Sequence, residues 1–349
     1  MQARKPDTEP TMMKKHLCTV LVALAAATGS PAAAEEVNIY SYRQPFLIKP
    51  FLDEFTKRSG IKVNVVFAKK GMLKRIQSEG RNTRADGILT ADISRLKAHA
   101  DADLLLPVKS AVLEKNIPAH LRDPEGRWFG LTKRIRLIAT AKGRVKPGTV
   151  KSYEDLAEPK LKGRICTRKG SHVYNRALLA SMIAAHGEAK AQAWATGLVA
   201  NLARKPQGND RGQIQAIAQG VCDVAVINNY YYGKMKFNAK KPEQQAWAKT
   251  VDLVFPNQEN RGAHVNISGA AVTRHAKNSA NMIKLLEFLS DRFAQQMYAA
   301  QNYEYPVNPV VATDKEVASW GQFREDTVSL GKIADLSPLA QKIVDRVGW

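Results

Sequence analysis

Residues 37–67 read VNIYSYRQPFLIKPFLDEFTKRSGIKVNVVF, and two hydrophobic periods alternate within them. Val37-Asn38-Ile39-Tyr40 alternates apolar with polar residues, the pattern of a strand. Phe51, Leu52 and Phe55 then fall at helical spacing, and Gly60 stands just past the run as a stop signal. Ile61, Val63, Val65 and Phe67 alternate again. A short helix carrying Met72, Leu73 and Ile76 leads to a further strand near Asp86-Gly87-Ile88-Leu89. Strand–helix–strand alternation of this kind predicts an α/β fold with a largely parallel sheet.

The pattern continues downstream. Leu131 to Thr140 reads as a long strand and Gly163 to Thr167 as another. Val173 to Ala185 reads as a helix, Val221 to Ile227 as a buried strand, and Met282 to Leu289 as a helix. There is no internal repeat, no low-complexity tract and no Pro/Gly-rich linker, so two domains would be joined by strands crossing between them. Ligands of open α/β sheets bind at the carboxyl ends of strands, which is where chemistry is expected.

The chain has 349 residues, 53 Lys+Arg against 32 Asp+Glu, and a formal net charge of +21. A hydrophobic fraction of 44% at this length supports a large core and excludes a disordered polymer. The positive charge favours anionic partners without choosing among nucleic acid, lipid headgroups and small anions. At the amino end, Arg4, Lys5, Lys14 and Lys15 precede an apolar run from Leu17 to Ala27, followed by Ala32-Ala33-Ala34. This is the pattern of a secretory signal peptide over residues 1–34, cleaved after Ala34, with Met13 a candidate start. Export takes Cys18 away. Cys166 and Cys222 remain, and on sequence alone either a disulfide or two buried thiols fits them.

Enzyme signatures are missing: no Gly-x-Gly-x-x-Gly opens a helix, and there is no phosphate-cradling Gly-Lys-Ser/Thr loop and no Gly-x-Ser-x-Gly elbow. The histidines after residue 34 never pair at metal spacing. Three segments stand out instead. Asn228-Asn229-Tyr230-Tyr231-Tyr232 follows a buried run, and a turn into a helix there would let neighbouring tyrosines converge; rings packed at a lobe boundary fit the same residues. In Ser171-His172-Val173-Tyr174-Asn175, Ser171 resembles an N-cap that sets Tyr174 in the first helical turn, where negative charge is stabilised; an ordinary partly buried tyrosine fits the same position. In Thr132-Lys133-Arg134-Ile135-Arg136, alternation puts both guanidiniums on one face, suited to an anion or a structural ion pair.

Tyrosines and arginines gathered together suit ferric iron. Fe(III) is a small, hard cation that prefers oxygen donors, and phenolate is a hard anionic one. Three phenolates neutralise a trivalent ion, and an adjacent arginine can hold a further anion on the metal.

Over nearly the whole exported chain the sequence resembles the tyrosine-rich periplasmic ferric-iron-binding proteins that serve ABC importers. The stretches that carry the likeness are WFGLTKRIRLI, SHVYNRALLASMI, ARKPQGNDRGQIQAI, the Asn-Tyr-Tyr segment, VFPNQENRGAHVNISGAAV, AQNYEYPV and DRVGW. The resemblance implies a two-lobed type II periplasmic binding protein, each lobe a mixed, mostly parallel sheet flanked by helices and hinged by crossing strands. Residues 35–138 with 265–349 would form one lobe and 139–264 the other. It implies Tyr174, Tyr230 and Tyr231 as the metal ligands, with Arg134 neutralising charge or holding a carbonate-like or citrate anion. It also implies a periplasmic monomer that hands its iron to an inner-membrane permease by hinge closure, and no enzymatic activity. The chain departs from the pattern at the first strand's end. Many relatives have Tyr-Ser-x-Arg-His-Tyr there, whereas this chain has Tyr40-Ser41-Tyr42-Arg43-Gln44-Pro45. Tyr42, Arg43 and Gln44 are therefore the further candidates for metal or anion contacts, and Lys234 for the positive rim. A carrier of a ferric chelate or of a small anion is the same-fold alternative; a secreted hydrolase and a nucleic-acid binder are disfavoured by the missing motifs and by export.

Overall fold

The computed structural model describes residues 1–3 and 35–349. Apart from residues 1–3, the expected signal peptide and its cleavage site lie outside the described residues. No described helix is long and apolar enough to cross a membrane.

The opening stretch folds as its periods dictate. β1 (Glu36–Ser41) leads through Gln44 into the helix Pro45–Ser59, which starts with its proline and ends at Gly60 with φ 74°. Proline at the first helical position gives up no hydrogen bond, and glycine takes the left-handed conformation without a Cβ clash. Leu47, Ile48, Phe51, Leu52 and Phe55 form the buried stripe of that helix. β2 (Lys62–Phe67) returns parallel to β1, and β3 (Gly87–Thr90) lies parallel on its other side.

β4 (Phe129–Ala141) is the axis of the molecule. β5 (Ile165–Cys166), β6 (Val224–Asn228), β7 (Val251–Val254), β8 (Val265–Val272) and β9 (Tyr305–Pro306) complete the strands. The first half of β4 pairs antiparallel with β8 and β9, and β8 in turn pairs antiparallel with β3. From Arg136 onward β4 pairs antiparallel with β6 and β7, and β5 joins β6 in parallel. One strand thus runs through both ends of the sheet, and helices flank both.

Among the described residues five of the eight strand pairings are antiparallel, which corrects the expectation of a mostly parallel sheet. Helical crossovers make parallel pairs only within each β–helix–β unit. The long strands β4 and β8 run back past those units, and that return is antiparallel. β6 also starts later than its apolar run suggests: Val221 is 42% exposed and follows the left-handed Gly220.

Cys166 and Cys222 form a disulfide between the end of β5 and the approach to β6, closing a separation of 56 residues. Chain-entropy bookkeeping for such a loop gives about 4 kcal/mol of stabilisation. The last helix, Leu330–Val347, packs across both Ile93–Asp101 and Val173–His186. Beyond it, Trp349 packs its indole on Gly170 and edge-on to Trp194, with Nε1 donating to Thr167 Oγ1 at 2.9 Å.

Candidate metal centre

β6 ends at Asn228 and the helix Asn229–Lys236 begins at the next residue. That immediate switch from extended to helical backbone brings Tyr230 and Tyr231 together: their rings stack at 4.4 Å and 29°. Asn229 fixes the switch. Its Oδ1 accepts from the Ile135 amide at 2.9 Å and its Nδ2 donates to the Tyr303 carbonyl at 2.7 Å. Gly233, one turn on, lies so close to the Tyr303 ring that a Cβ there would meet it at 2.4 Å.

Tyr174 arrives from the first turn of the helix Val173–His186. The cap is not Ser171. His172 takes that place, its Nδ1 accepting from the Tyr174 amide at 3.3 Å. Ser171 sits one residue too early, inside a turn closed by the His172 amide on the Lys169 carbonyl. The Tyr174 and Tyr230 hydroxyls lie 3.2 Å apart, within hydrogen-bond reach. All three tyrosines line one cavity of about 500 Å³.

Burial raises the Tyr230 phenol well above its ordinary range, and the neighbouring Tyr174 and Tyr231 oppose its ionisation further, against the pull of Arg134. Burial also pushes Tyr231 up to about 12, with Tyr174 and Asp210 adding to the rise and Arg168 opposing it. Both are therefore phenols at neutral pH, and a metal taking them as ligands must displace their protons.

The two arginines that β4 turns to one face have different employment. Arg136 donates to Asp210 Oδ2 at 2.7 Å and to Asn175 Oδ1 at 2.5 Å, a structural ion pair. Arg168 takes the other Asp210 oxygen at 3.0 Å. Burial works to raise the Asp210 carboxyl, but Arg136, Arg168 and the Asn228 amide hold it below its ordinary value. Arg134, only 2% exposed, has no carboxylate partner: Nη2 donates to the carbonyls of Ala91 and Ile267, while Nε and Nη1 have no partner among the described residues. Its Cζ stands 5.2 Å from the Tyr174 ring centroid.

Tyr42, Arg43 and Gln44 line the same cavity; the Tyr42 oxygen and both Arg43 terminal nitrogens are already engaged, while Arg43 Nε has no partner among the described residues. Tyr42 Oη accepts from the Leu73 amide at 3.1 Å, and Arg95 lies 4.3 Å over its ring. Arg43 is buried, with Nη2 on Glu304 at 2.8 Å and Nη1 on Ser268 Oγ at 2.5 Å; Thr132 donates to the other Glu304 oxygen at 2.6 Å. Gln44 precedes its helix without a side-chain cap bond. Lys234 is partly buried, which depresses its ammonium while Glu304 favours the charge.

Lys69, which with Lys70 reads in the sequence as a basic run on a solvated face, lines the cavity together with Arg95, Arg168 and Arg211, which no motif marks for it. They come from four separate segments, and no short-range pattern joins them. His172 also lines it. Burial, then the charge of Arg168, pushes its imidazole down to about 3, so it is neutral at physiological pH. Among the described residues no group of three His, Cys, Asp or Glu side chains is arranged for a metal. Tyr174, Tyr230 and Tyr231 bring three phenol oxygens to the cavity.

Residues 88–324 match the family described as bacterial extracellular solute-binding protein. Iron uptake protein A1 of Synechocystis sp. is 44% identical over 93% of this chain and 90% of its own length. The crystal structure of Pasteurella haemolytica apo ferric ion-binding protein A superposes with a TM-score of 0.87 at 48% identity, covering 90% of this chain and 98% of that one. A Trichodesmium protein in complex with iron and citrate superposes with a TM-score of 0.84 at 43% identity, covering 90% and 99%.

Proposed function

Because the chain belongs to the bacterial extracellular solute-binding proteins, we propose that it captures Fe(III) in the periplasm and delivers it to an inner-membrane ABC permease. The observation that carries this reading is the convergence of Tyr174, Tyr230 and Tyr231 on one cavity, two of their hydroxyls 3.2 Å apart. Their phenolates are the ligands, and three of them balance a trivalent charge. Arg134, with two unpartnered N–H groups, holds the anion that completes the shell, a carbonate-like group or a citrate oxygen. Tyr42, Arg43 and Gln44 form the opposite wall.

The lobes are residues 35–138 with 265–349, and 139–264, hinged where β4 and β8 cross. Closure about that hinge marks the loaded monomer for the permease. The exported chain begins after Ala34.

A second reading, that iron enters as a carboxylate chelate such as ferric citrate, is favoured by the cavity itself. About 500 Å³ lies in the range of small-molecule sites and far exceeds the need of a bare ion. The lining also carries more cations than three phenolates and one ferric ion require.

The test is a visible absorption titration of metal-stripped protein with ferric citrate at neutral pH. A broad phenolate-to-iron charge-transfer band, bleached by dithionite or acid, is the expected result. No band, with calorimetry also silent for iron, would overturn the reading in favour of an anion carrier centred on Arg134.

A further inference from the structure

Histidine is an uncommon residue for the start of a helix. Ser, Thr, Asp and Asn lead there because a short side-chain oxygen reaches the free amides. His172 nevertheless caps Val173–His186 through Nδ1, which accepts from the Tyr174 amide at 3.3 Å. A ring nitrogen that accepts carries no proton, so the neutral imidazole holds its proton on Nε2. The ring lines the cavity and stands edge-on to Tyr174, centroids 4.5 Å apart. The cap bond therefore does two things at once: it starts the helix that delivers Tyr174, and it fixes the remaining ring nitrogen as a donor. In this tautomer Nε2 has no lone pair for a metal.

Other donors surround the same space. Arg168 is 8% exposed, lines the cavity, and has one arm on Asp210 while its Nε has no partner among the described residues. Arg43, 3% exposed, likewise lines the cavity with an unpartnered Nε. Buried N–H groups left in this state call for an acceptor oxygen.

We propose that His172 is a specificity-determining residue whose Nε2–H donates to a carboxylate oxygen of the chelator that enters with the metal. This deepens the ferric-chelate reading above and rests on it. The helix cap and the recognition of the chelate are then one side chain, which accounts for a histidine where asparagine would cap better. The site prefers iron that brings a free anionic oxygen over iron that does not.

The experiment separates cap from donor. His172→Asn keeps a strong N-cap and removes the imidazole N–H. Thermal melting of the variant is expected to match or exceed that of the unaltered protein, and its charge-transfer maximum to stay in place. Its affinity for ferric citrate is expected to fall about tenfold, the scale of one hydrogen bond to a charged group. Equal affinity for ferric citrate in variant and unaltered protein would overturn the proposal. Should His172→Asn melt early, His172→Ser, another strong cap, carries the same comparison. If the unaltered protein shows no band at all, it is the metal reading that fails. Calorimetry with iron-free citrate then decides His172 separately, and equal citrate affinity in both proteins would overturn its role.

Discussion

The two walls of the cavity use similar residues to different ends. On one, Tyr174 and Tyr230 turn their hydroxyls toward each other, and Arg134, next to the Tyr174 ring but outside the cavity lining, keeps two N–H groups without a partner among the described residues. On the other, Tyr42 gives its oxygen to the Leu73 amide and Arg43 gives both terminal nitrogens to Glu304 and Ser268, keeping only Nε without a partner among the described residues. A tyrosine or an arginine beside a cavity is thus not by itself a ligand. What counts is whether the fold has already taken its polar atoms.

The largest effect that tests this contrast belongs to Glu304→Gln. Removing the carboxylate strands the Arg43 charge in the interior, a loss of about 3–5 kcal/mol, read by urea unfolding. A negligible loss would mean that Arg43 is held for the ligand instead. Next comes Tyr230→Phe, expected to weaken ferric binding by at least about a hundredfold, beyond the cost of the outer-shell partners of a metal, with melting little changed. Visible titration checks it, and unaltered binding would remove Tyr230 from the ligand set. The matching change on the opposite wall, Tyr42→Phe, removes one acceptor and is expected to cost about 1 kcal/mol of stability. Its iron affinity should stay within about twofold on the same bond count; a loss like that of Tyr230→Phe would erase the distinction between the walls.

The smallest expected effect is on the fold in mild acid. Asp210 is held below its ordinary value near 3.8 by Arg136 and Arg168, against burial. A depressed carboxyl lends stability that is present above its unfolded value and lost as pH falls through the lower folded one. The Asp210 pairs therefore persist as pH drops from neutral toward about 4, while protons already compete for the phenolates. An acid titration followed by visible absorbance and far-ultraviolet circular dichroism should show iron loss well before any loss of helix. Coincident transitions would contradict this.

The same distinction between local and assembled features decides how much the sequence discloses. β1, the helix from Pro45 and β2 were legible because each shows its own period and its own stop signal. β8 shows no such boundary: Val265–Val272 is buried throughout, and its polar Asn266 and Ser268 are taken up by Asp92 and Arg43 inside the fold. Antiparallel pairing of β4 with both β8 and β6 is a property of the assembled sheet, and alternation along the chain does not encode it. At the site, Tyr230-Tyr231 and Tyr174 stood out as composition. Arg168 and Arg211 did not, because their value comes from meeting Asp210 and the Tyr231 ring across the fold; Arg211 lies 5.0 Å from that ring. The N-cap lies one residue beyond Ser171, the ordinary choice by residue type, and only the backbone shows that the helix starts after His172.

Trp349 is buried. Its indole N–H is tied to Thr167 and its face to Gly170, on the loop that carries Arg168 and leads into Tyr174. Tryptophan emission shifts with the polarity and hydrogen bonding around the ring. Any movement of that loop on filling the cavity is therefore written into the fluorescence of a side chain that never touches the cargo, and arrival and departure of iron can be timed without a label.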